Sequence, residues 1–184
     1  MNLLVWNCRG AGNKKFRRNM RELVQTNKPD LLILMETKVE FSSMGMFFNR
    51  MGFTASSHVD PIGRSGGIWI GWNPILVNVR VTKASSQLIT ATISRQDYLD
   101  WILSAIYASP ISQKRDELWN NLERSFQTIT DPWLLAGDFN DFASLDEKRT
   151  MSGSQNQSQE QRRAWKFTER VNNCNLMDLG CTGP

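Results

Sequence analysis

The chain has 184 residues, 40% of them hydrophobic, and a net charge of +4 at pH 7. This length fits one domain, residues 1–184, with a sizeable core, and no stretch approaches the ~18–20 apolar residues that a membrane span requires. The segment 1–6 is too short for a signal peptide and lacks its charged start. Three cysteines without metal-ligand spacing indicate an intracellular, reducing compartment rather than a secreted disulfide framework.

Predicted strands and helices alternate along the chain. Strands are predicted at 3–7, 31–36 and 53–58, with a helix at 13–27 and a short helix at 42–51. Further strands are predicted through Ile68–Trp72 and at 75–82, 87–94, 99–107 and 132–137, with helices at 112–127 and 159–173. Residues 144–161 are polar and are predicted to form a mobile loop. This mixture indicates an α/β fold with two sheets packed face to face and flanked by helices.

Net positive charge is concentrated near the start of the chain, and most of the basic residues there lie in the predicted first helix. Residues 1–28 contain seven lysines and arginines but one acidic residue, so the remainder is slightly acidic. Phe16, Met20, Leu23 and Val24 form the apolar stripe of the helix. A basic helix can bind a phosphate backbone, because neutralised phosphates release counterions. The alternative is a solvated helix face without a ligand.

Four predicted strands end on polar side chains. The 132–137 strand runs into Gly137-Asp138-Phe139-Asn140, and strand alternation would direct Asp138 and Asn140 to one site. The other three strands end at Asn7, Glu36 and Tyr107, and catalytic groups of α/β proteins gather at strand ends. A carboxylate that activates water beside an amide that holds an oxyanion suits phosphate ester hydrolysis. The alternative is a turn that only ends a strand.

These motifs resemble the endonuclease/exonuclease/phosphatase superfamily. The resemblance rests on Trp6-Asn7-Cys8-Arg9-Gly10, Met35-Glu36-Thr37-Lys38, Ile106-Tyr107-Ala108-Ser109-Pro110 and Gly137-Asp138-Phe139-Asn140. Asp146-Glu147-Lys148 and the segment 174–180 resemble, within it, the apurinic-type endonuclease domain of plant-type LINE (non-LTR) retrotransposons. The resemblance implies a four-layered α/β sandwich, built of two packed mixed β-sheets flanked by helices.

The resemblance also implies a metal site. Glu36 would be the metal ligand, because Mg²⁺, or Mn²⁺ in its place, takes oxygen ligands; the alternative is an ion pair between Glu36 and Lys38. If Lys38 is not in that ion pair, it would stabilise the negative charge that develops during the reaction. Apurinic endonucleases have a second acidic residue where this chain has Arg9, so the metal would depend on Glu36 alone and Arg9 would bind phosphate.

The remaining strand-end residues have catalytic roles in the family. Asp138 would orient and activate the attacking water, and Asn140 would donate its amide to phosphate oxygens. Asn7 would hold the site together, in contact with metal-bound water, Glu36 or phosphate. Tyr107 would donate a hydrogen bond to a phosphate oxygen, with a core-edge tyrosine as the alternative.

The family continues with further strands and a Ser-Asp-His ending that have no counterpart in these 184 residues. We therefore expect the second sheet to lack its last strands, which would leave an unpaired edge and an impaired activity. The single histidine, His58, is predicted to lie in a loop on the surface and is not accepted as a substitute.

Three functions remain open at this level. The first is a Mg²⁺-dependent phosphodiesterase, a DNA-nicking endonuclease of retroelement type. The alternatives are a non-catalytic retroelement remnant that binds nucleic acid weakly and a small-molecule phosphoesterase of the same superfamily. For the endonuclease, the expected partner is DNA and the expected location is the nucleus. We expect a monomer without membrane association, with a reverse transcriptase following in the full-length parent.

Overall fold

The computed structural model describes residues 1–63, 65–147 and 157–180. In chain order the regular elements are β1 (Leu3–Asn7), α1 (Lys14–Asn27), β2 (Leu31–Met35), α2 (Gly45–Asn49), β3 (Ala55–Val59), β4 (Ile68–Trp72), β5 (Asn78–Ser85), β6 (Leu88–Ser94), β7 (Trp101–Tyr107), α3 (Ser112–Phe126), β8 (Trp133–Asp138) and α4 (Gln157–Asn173). Single 3₁₀ turns lie at Phe41–Ser43 and Leu145–Glu147. Among the described residues, none of the helices has the length and apolar character to cross a bilayer.

The chain divides into two compact units, and all eight described strands belong to the first. That unit comprises Met1–Ser109 and Thr130–Asp138, and the second comprises Pro110–Ile129 and Phe139–Pro184. The first sheet has the order β1-β2-β4-β3 and the second the order β5-β6-β7-β8. Both are mixed, because β1–β2 and β7–β8 are parallel pairs and the other neighbours are antiparallel. The predicted α/β sandwich is confirmed.

The hydrophobic core of the first unit lies between the two sheets. Side chains of β2 and β4, such as Ile33 and Ile70, pack in one cluster with Ile89 of β6 and Leu103 of β7. β6 shows the predicted alternation, with its isoleucines and Ala91 buried and its threonines half-buried. β2 and β4 are buried along their whole length, because helices cover the other face of their sheet.

Those covering helices are α1 and α2, and α1 forms as the sequence predicts. The Asn13 side chain accepts a hydrogen bond from the Phe16 N–H at 2.7 Å and so caps the first turn. The helix ends at Lys28, whose left-handed backbone donates its N–H to the Val24 carbonyl. Phe16 and Met20 are buried in a second cluster with Phe48 of α2 and with Leu32, Leu34 and Trp69 of the sheet.

In the second unit, α3 and α4 pack around aromatic rings. Trp119 of α3 is fully buried, stacks on Phe139 at 5.6 Å between ring centroids and meets the edge of Phe167 of α4 at 5.7 Å. Leu118 and Leu122 of α3 are also buried. Asp116 of α3 forms ion pairs with Lys166 and Arg170 of α4, which add a polar link between the helices.

Three predicted elements differ from the structure. The helix at 42–51 is broken into a 3₁₀ turn and α2, because Met44 leaves the helical region at φ −123°. The strand at 75–82 begins only at Asn78, since Asn73 accepts the N–H groups of residues 75, 76 and 77 and holds them in a turn. His58 lies in β3 rather than in a loop, with an exposed ring stacked on Phe41.

The predicted loop at 144–161 is also wrong where the structure describes it. Residues 145–147 form a 3₁₀ turn and 157–161 are the first turns of α4. Their polar composition reflects the solvated start of a helix, where an acidic side chain such as Glu160 is favoured by the helix dipole. The rest of the predicted loop, 148–156, lies outside the described residues, as does Lys148 of the Asp146-Glu147-Lys148 motif.

Candidate active site

The ends of the two parallel strand pairs bring Asn7, Tyr107 and Asp138 together within the first unit. Asn7 is the last residue of β1, and Tyr107 and Asp138 are paired in register at the ends of β7 and β8. Asn7 Nδ2 donates a hydrogen bond to Asp138 Oδ2 at 2.7 Å. The Asp138 N–H points to the Met35 sulfur, 3.2 Å away, at the end of β2. Two contacts from the first sheet therefore hold Asp138, one at its carboxylate and one at its backbone N–H.

Glu36 follows β2 directly and is ionised at neutral pH. Its Oε1 lies 2.7 Å from Lys38 Nζ, which is the ion pair considered as the alternative to a metal ligand. Partial burial would raise the pKa of Glu36, but hydrogen bonds from Lys38 and Asn7 and the nearby charge of Arg9 outweigh it, so the pKa lies below its ordinary value. The carboxylate is held as an anion among two cations and an amide.

Tyr107 keeps its proton under ordinary conditions. Burial raises its pKa, and the negative charges of Glu36 and Asp138 raise it further. A phenol with a raised pKa acts as a hydrogen-bond donor rather than as a base.

Unusual backbone conformations mark the segments that carry these side chains. Arg9, Glu36 and Lys38 have positive φ angles of 50°, 56° and 59°. Non-glycine residues seldom adopt this region, and such conformations cluster at functional sites. The Asn7 side chain stabilises the first of them, since its Oδ1 accepts the Arg9 N–H at 3.1 Å.

Gly137 allows β8 to approach β7 where the two strands end. Its φ is +150°, and a Cβ at this position would lie 1.9 Å from the Ile106 carbonyl oxygen. Ile106 and Gly137 are the register pair just before Tyr107 and Asp138. The glycine of the Gly-Asp-Phe-Asn motif is therefore needed for the strand pairing that places the aspartate.

Asn140 belongs to the second unit, and the expectation based on strand alternation is wrong for it. β8 ends at Asp138, and Asn140 has a left-handed φ of 47°. Its carbonyl accepts a hydrogen bond from Arg163 of α4. The next residue, Asp141, pairs with Arg163 Nε at 2.5 Å and with Arg115 Nε of α3 at 3.2 Å.

Sequence reasoning missed several supporting residues. Thr37 is fully buried between Glu36 and Lys38, and a Cβ on Gly67 would lie 2.1 Å from its hydroxyl. Gln87 accepts the backbone N–H of Tyr107 on its carbonyl and that of Ser109 on its side chain. The doublet Gly66-Gly67 was a usable signal, because adjacent glycines often mark a close backbone approach. Nothing in the sequence indicates Gln87.

The donor chemistry of the strand ends fits a hard divalent cation. Mg²⁺ is commonly held by one or two carboxylates together with waters and substrate phosphate, and Glu36 and Asp138 are carboxylates at the ends of β2 and β8. Among the described residues, no three His, Cys, Asp or Glu side chains cluster as a closed protein-only metal site. The set therefore suits a mostly hydrated ion rather than a structural zinc.

Comparison with known proteins agrees with this arrangement. The sequence profile of the Endonuclease/Exonuclease/phosphatase family matches residues 4–181. The chain belongs to this family. Members of the family usually use divalent metals. Among curated protein sequences, none is significantly similar to this family member.

Solved structures of the family share the fold. The AP endonuclease LMAP from Leishmania major matches with a TM-score of 0.70 and 18% identity over 95% of this chain and 66% of that one. An AP endonuclease from Archaeoglobus fulgidus matches with 0.64 and 19% identity over 92% and 70%. A 3′ phosphatase from Neisseria, bound to product DNA hairpin, matches with 0.57 and 18% identity over 91% and 71%. This family member spans about two thirds of the length of these chains.

Proposed function

We propose that this protein is a Mg²⁺-dependent phosphodiesterase that nicks DNA, an endonuclease of retroelement type. The observation that carries the proposal is the 2.7 Å hydrogen bond from Asn7 to Asp138, made beside the ionised carboxylate of Glu36. The AP endonucleases and the DNA-bound 3′ phosphatase of the same fold support DNA as the substrate class. The resemblance of residues 146–148 and 174–180 supports the retroelement type.

Each strand-end residue has a role in this proposal. Asp138, oriented by the Asn7 amide, accepts the proton of the attacking water. Tyr107 donates its hydroxyl hydrogen to a phosphoryl oxygen, which its raised pKa allows. Arg9 and Lys38 are the cations for the phosphate. The role of Asn140 stays a prediction of the Gly137–Asn140 motif.

Glu36 would hold the metal ion. The ion, when bound, polarises the scissile phosphate and stabilises the leaving oxygen. Lys38 Nζ lies 2.7 Å from Glu36 Oε1. With a metal ion bound to Glu36, this lysine would be available to pair with the substrate phosphate.

The test is nicking of supercoiled plasmid by the purified chain with Mg²⁺ or with EDTA. Asp138→Asn keeps the size of the side chain but removes the base, and a loss of about 10²–10⁴-fold is expected. Asp131→Asn is the matched control, because Asp131 is an exposed aspartate outside the strand-end cluster. Circular dichroism would verify that each variant is folded.

Three results would contradict the proposal. Absence of nicking by a folded chain with Mg²⁺ or Mn²⁺ would favour the non-catalytic remnant. Hydrolysis of inositol phosphates without plasmid nicking would favour a small-molecule phosphoesterase. Nicking that survives Asp138→Asn would show that the strand-end assignment is wrong even if the chain is a nuclease.

A further inference from the structure

A basic groove lies between α1 and α2, away from the strand-end residues. It has a volume of about 690 Å³ and is lined by Arg17 and Arg21 of α1 and by Arg50 just after α2, with Phe47 and Met46 between them. This volume is typical of a pocket for a small ligand or a short chain segment. We define these five residues as the α1–α2 groove.

The arginines of the groove have no carboxylate opposite them. Among the described residues that line the groove, none is acidic. Arg17 and Arg50 instead direct guanidinium nitrogens at methionine sulfurs, each at 3.6 Å. In the second unit, by contrast, Arg115, Arg163 and Arg170 all pair with aspartates. Three positive charges that converge on one concavity concentrate a field that attracts an anion.

Phe47 provides a flat apolar surface under those charges. The guanidinium carbons of Arg17 and Arg21 lie 5.9 and 5.2 Å from the centre of its ring. The ring itself is fixed, because its neighbours Phe16 and Phe48 belong to the buried core. Met46 beside it is 70% exposed, which leaves more apolar surface facing solvent.

We propose that the α1–α2 groove binds single-stranded nucleic acid. Single strands are held by cationic grooves that follow the backbone and by aromatic or guanidinium planes on which bases stack, and the groove offers both. Arginine forks match the geometry of phosphate oxygens. An acidic peptide would use the charges but not the stacked planes of Phe47 and the arginines.

The proposal is independent of chemistry at the strand ends. It concerns binding, and none of the five groove residues has a role in the proposed hydrolysis. An enzyme that nicks duplex DNA and also binds an unpaired strand would stay bound to the unpaired end of its product. Binding at the α1–α2 groove would persist even if the hydrolytic site were inactivated.

The test is binding of a short fluorescent oligothymidylate to the full chain in EDTA, followed by anisotropy across a salt series. Arg17→Gln with Arg21→Gln is expected to weaken binding by about tenfold or more and to reduce the salt slope by about 1.4, because each phosphate contact on a single strand contributes about 0.7. Arg18→Gln with Arg80→Gln removes the same charge from exposed arginines outside the groove and is expected to change both quantities much less.

A second variant tests the stacking surface separately. Phe47→Leu keeps the charge and much of the apolar volume, and we expect it to weaken oligothymidylate binding about fivefold or more while the salt slope stays unchanged. Arg50→Gln, on the other wall, gives an independent measurement if the α1 double variant fails to fold. Asp131→Asn, at an exposed aspartate outside both the groove and the strand-end cluster, should bind as the unaltered chain does, and because binding is measured in EDTA, a failed nicking assay does not affect this experiment.

Three outcomes would overturn the proposal. Equal weakening by the groove and control double variants would show that only net charge matters. A preference for duplex over single strand would place binding elsewhere. If polyglutamate competes with equal affinity and Phe47→Leu does not change oligonucleotide binding, the ligand class is an acidic peptide.

Discussion

Replacement of Gly137 by alanine is expected to destabilise the protein and displace Asp138. The new Cβ would lie 1.9 Å from the Ile106 carbonyl oxygen and 2.9 Å from its nitrogen, and both are backbone atoms that cannot rotate away. The positive φ costs about 1–3 kcal/mol for a residue with a side chain, and forced displacement of packed atoms costs about 1–3 kcal/mol more. The sum, about 2–6 kcal/mol, is a large part of the ~5–15 kcal/mol that holds a domain folded.

Two other glycines separate these contributions. Gly52 has a φ of +93°, but a Cβ added there would have nothing within 4 Å, so Gly52→Ala measures the backbone cost alone. Gly71 lies in β4, and its added Cβ would meet Phe53 at an ordinary 3.7 Å, so Gly71→Ala measures a methyl group in a strand without a clash. Of these three variants, only Gly137→Ala combines the two costs.

The assay is urea unfolding followed by tryptophan fluorescence, with thermal melting beside it. For a chain of this size about 1 kcal/mol corresponds to 2–4 °C, so the melting temperature of Gly137→Ala should fall by roughly 4–24 °C. Plasmid nicking by the folded fraction should also fall, because the displaced strand end carries the partner of Asn7. If Gly137→Ala is no less stable than Gly52→Ala, the close approach of β8 to β7 does not require a glycine at position 137.

Three further predictions follow from buried or charged groups. Burial raises the pKa of Cys8 to about 11, so native-state iodoacetamide labelling at neutral pH should leave this thiol largely unmodified, and rapid labelling would contradict its burial. Asp141→Ala removes the carboxylate that pairs with the buried guanidinium of Arg115 and should cost about 3–5 kcal/mol in urea unfolding, whereas Lys166→Ala at an exposed pair should cost under about 1 kcal/mol. Folding lowers the pKa of Glu36, so the ionised carboxylate stabilises the folded state above the ordinary value of 4.5, and this contribution is lost as the pH falls below it. The free energy of unfolding of Glu36→Gln should therefore fall less steeply with decreasing pH than that of the unaltered chain.

The predictable part of the fold is the part that local patterns determine. Buried strands such as Leu31–Met35 and Ile68–Trp72 show continuous apolar runs, and α1 shows a 3.6-residue stripe after an Asn cap, so both were predicted close to their observed bounds. β5 begins three residues later than predicted because the turn at Asn73-Pro74 continues, with the Asn73 carbonyl accepting the N–H groups of residues 76 and 77. α4 begins two residues before the predicted start at 159, because a solvated helix start has the composition of a loop.

The candidate site likewise has a part that local sequence patterns predict and a part that they do not. Tyr107 and Asp138 lie side by side because β7 and β8 are parallel neighbours that end on one edge of the second sheet, which strand-end patterns can predict. The contact of Asp138 with Asn7 comes from the other sheet, and the left-handed backbone at Glu36 and the contact between Gly67 and Thr37 involve segments that are distant in sequence. The Gly66-Gly67 doublet indicates a close approach, but no local pattern identifies its partner.

The hydrogen bond between Asn7 and Asp138 joins residues 131 positions apart. Contacts of such sequence separation are slow to form, because the chain between them must close a long loop before the contact contributes any stability. During synthesis β1 emerges from the ribosome well before Asp138 is made, and it must remain paired with β2 until β8 follows. The strand-end arrangement is therefore completed late in folding and is among the first features lost when β8 detaches.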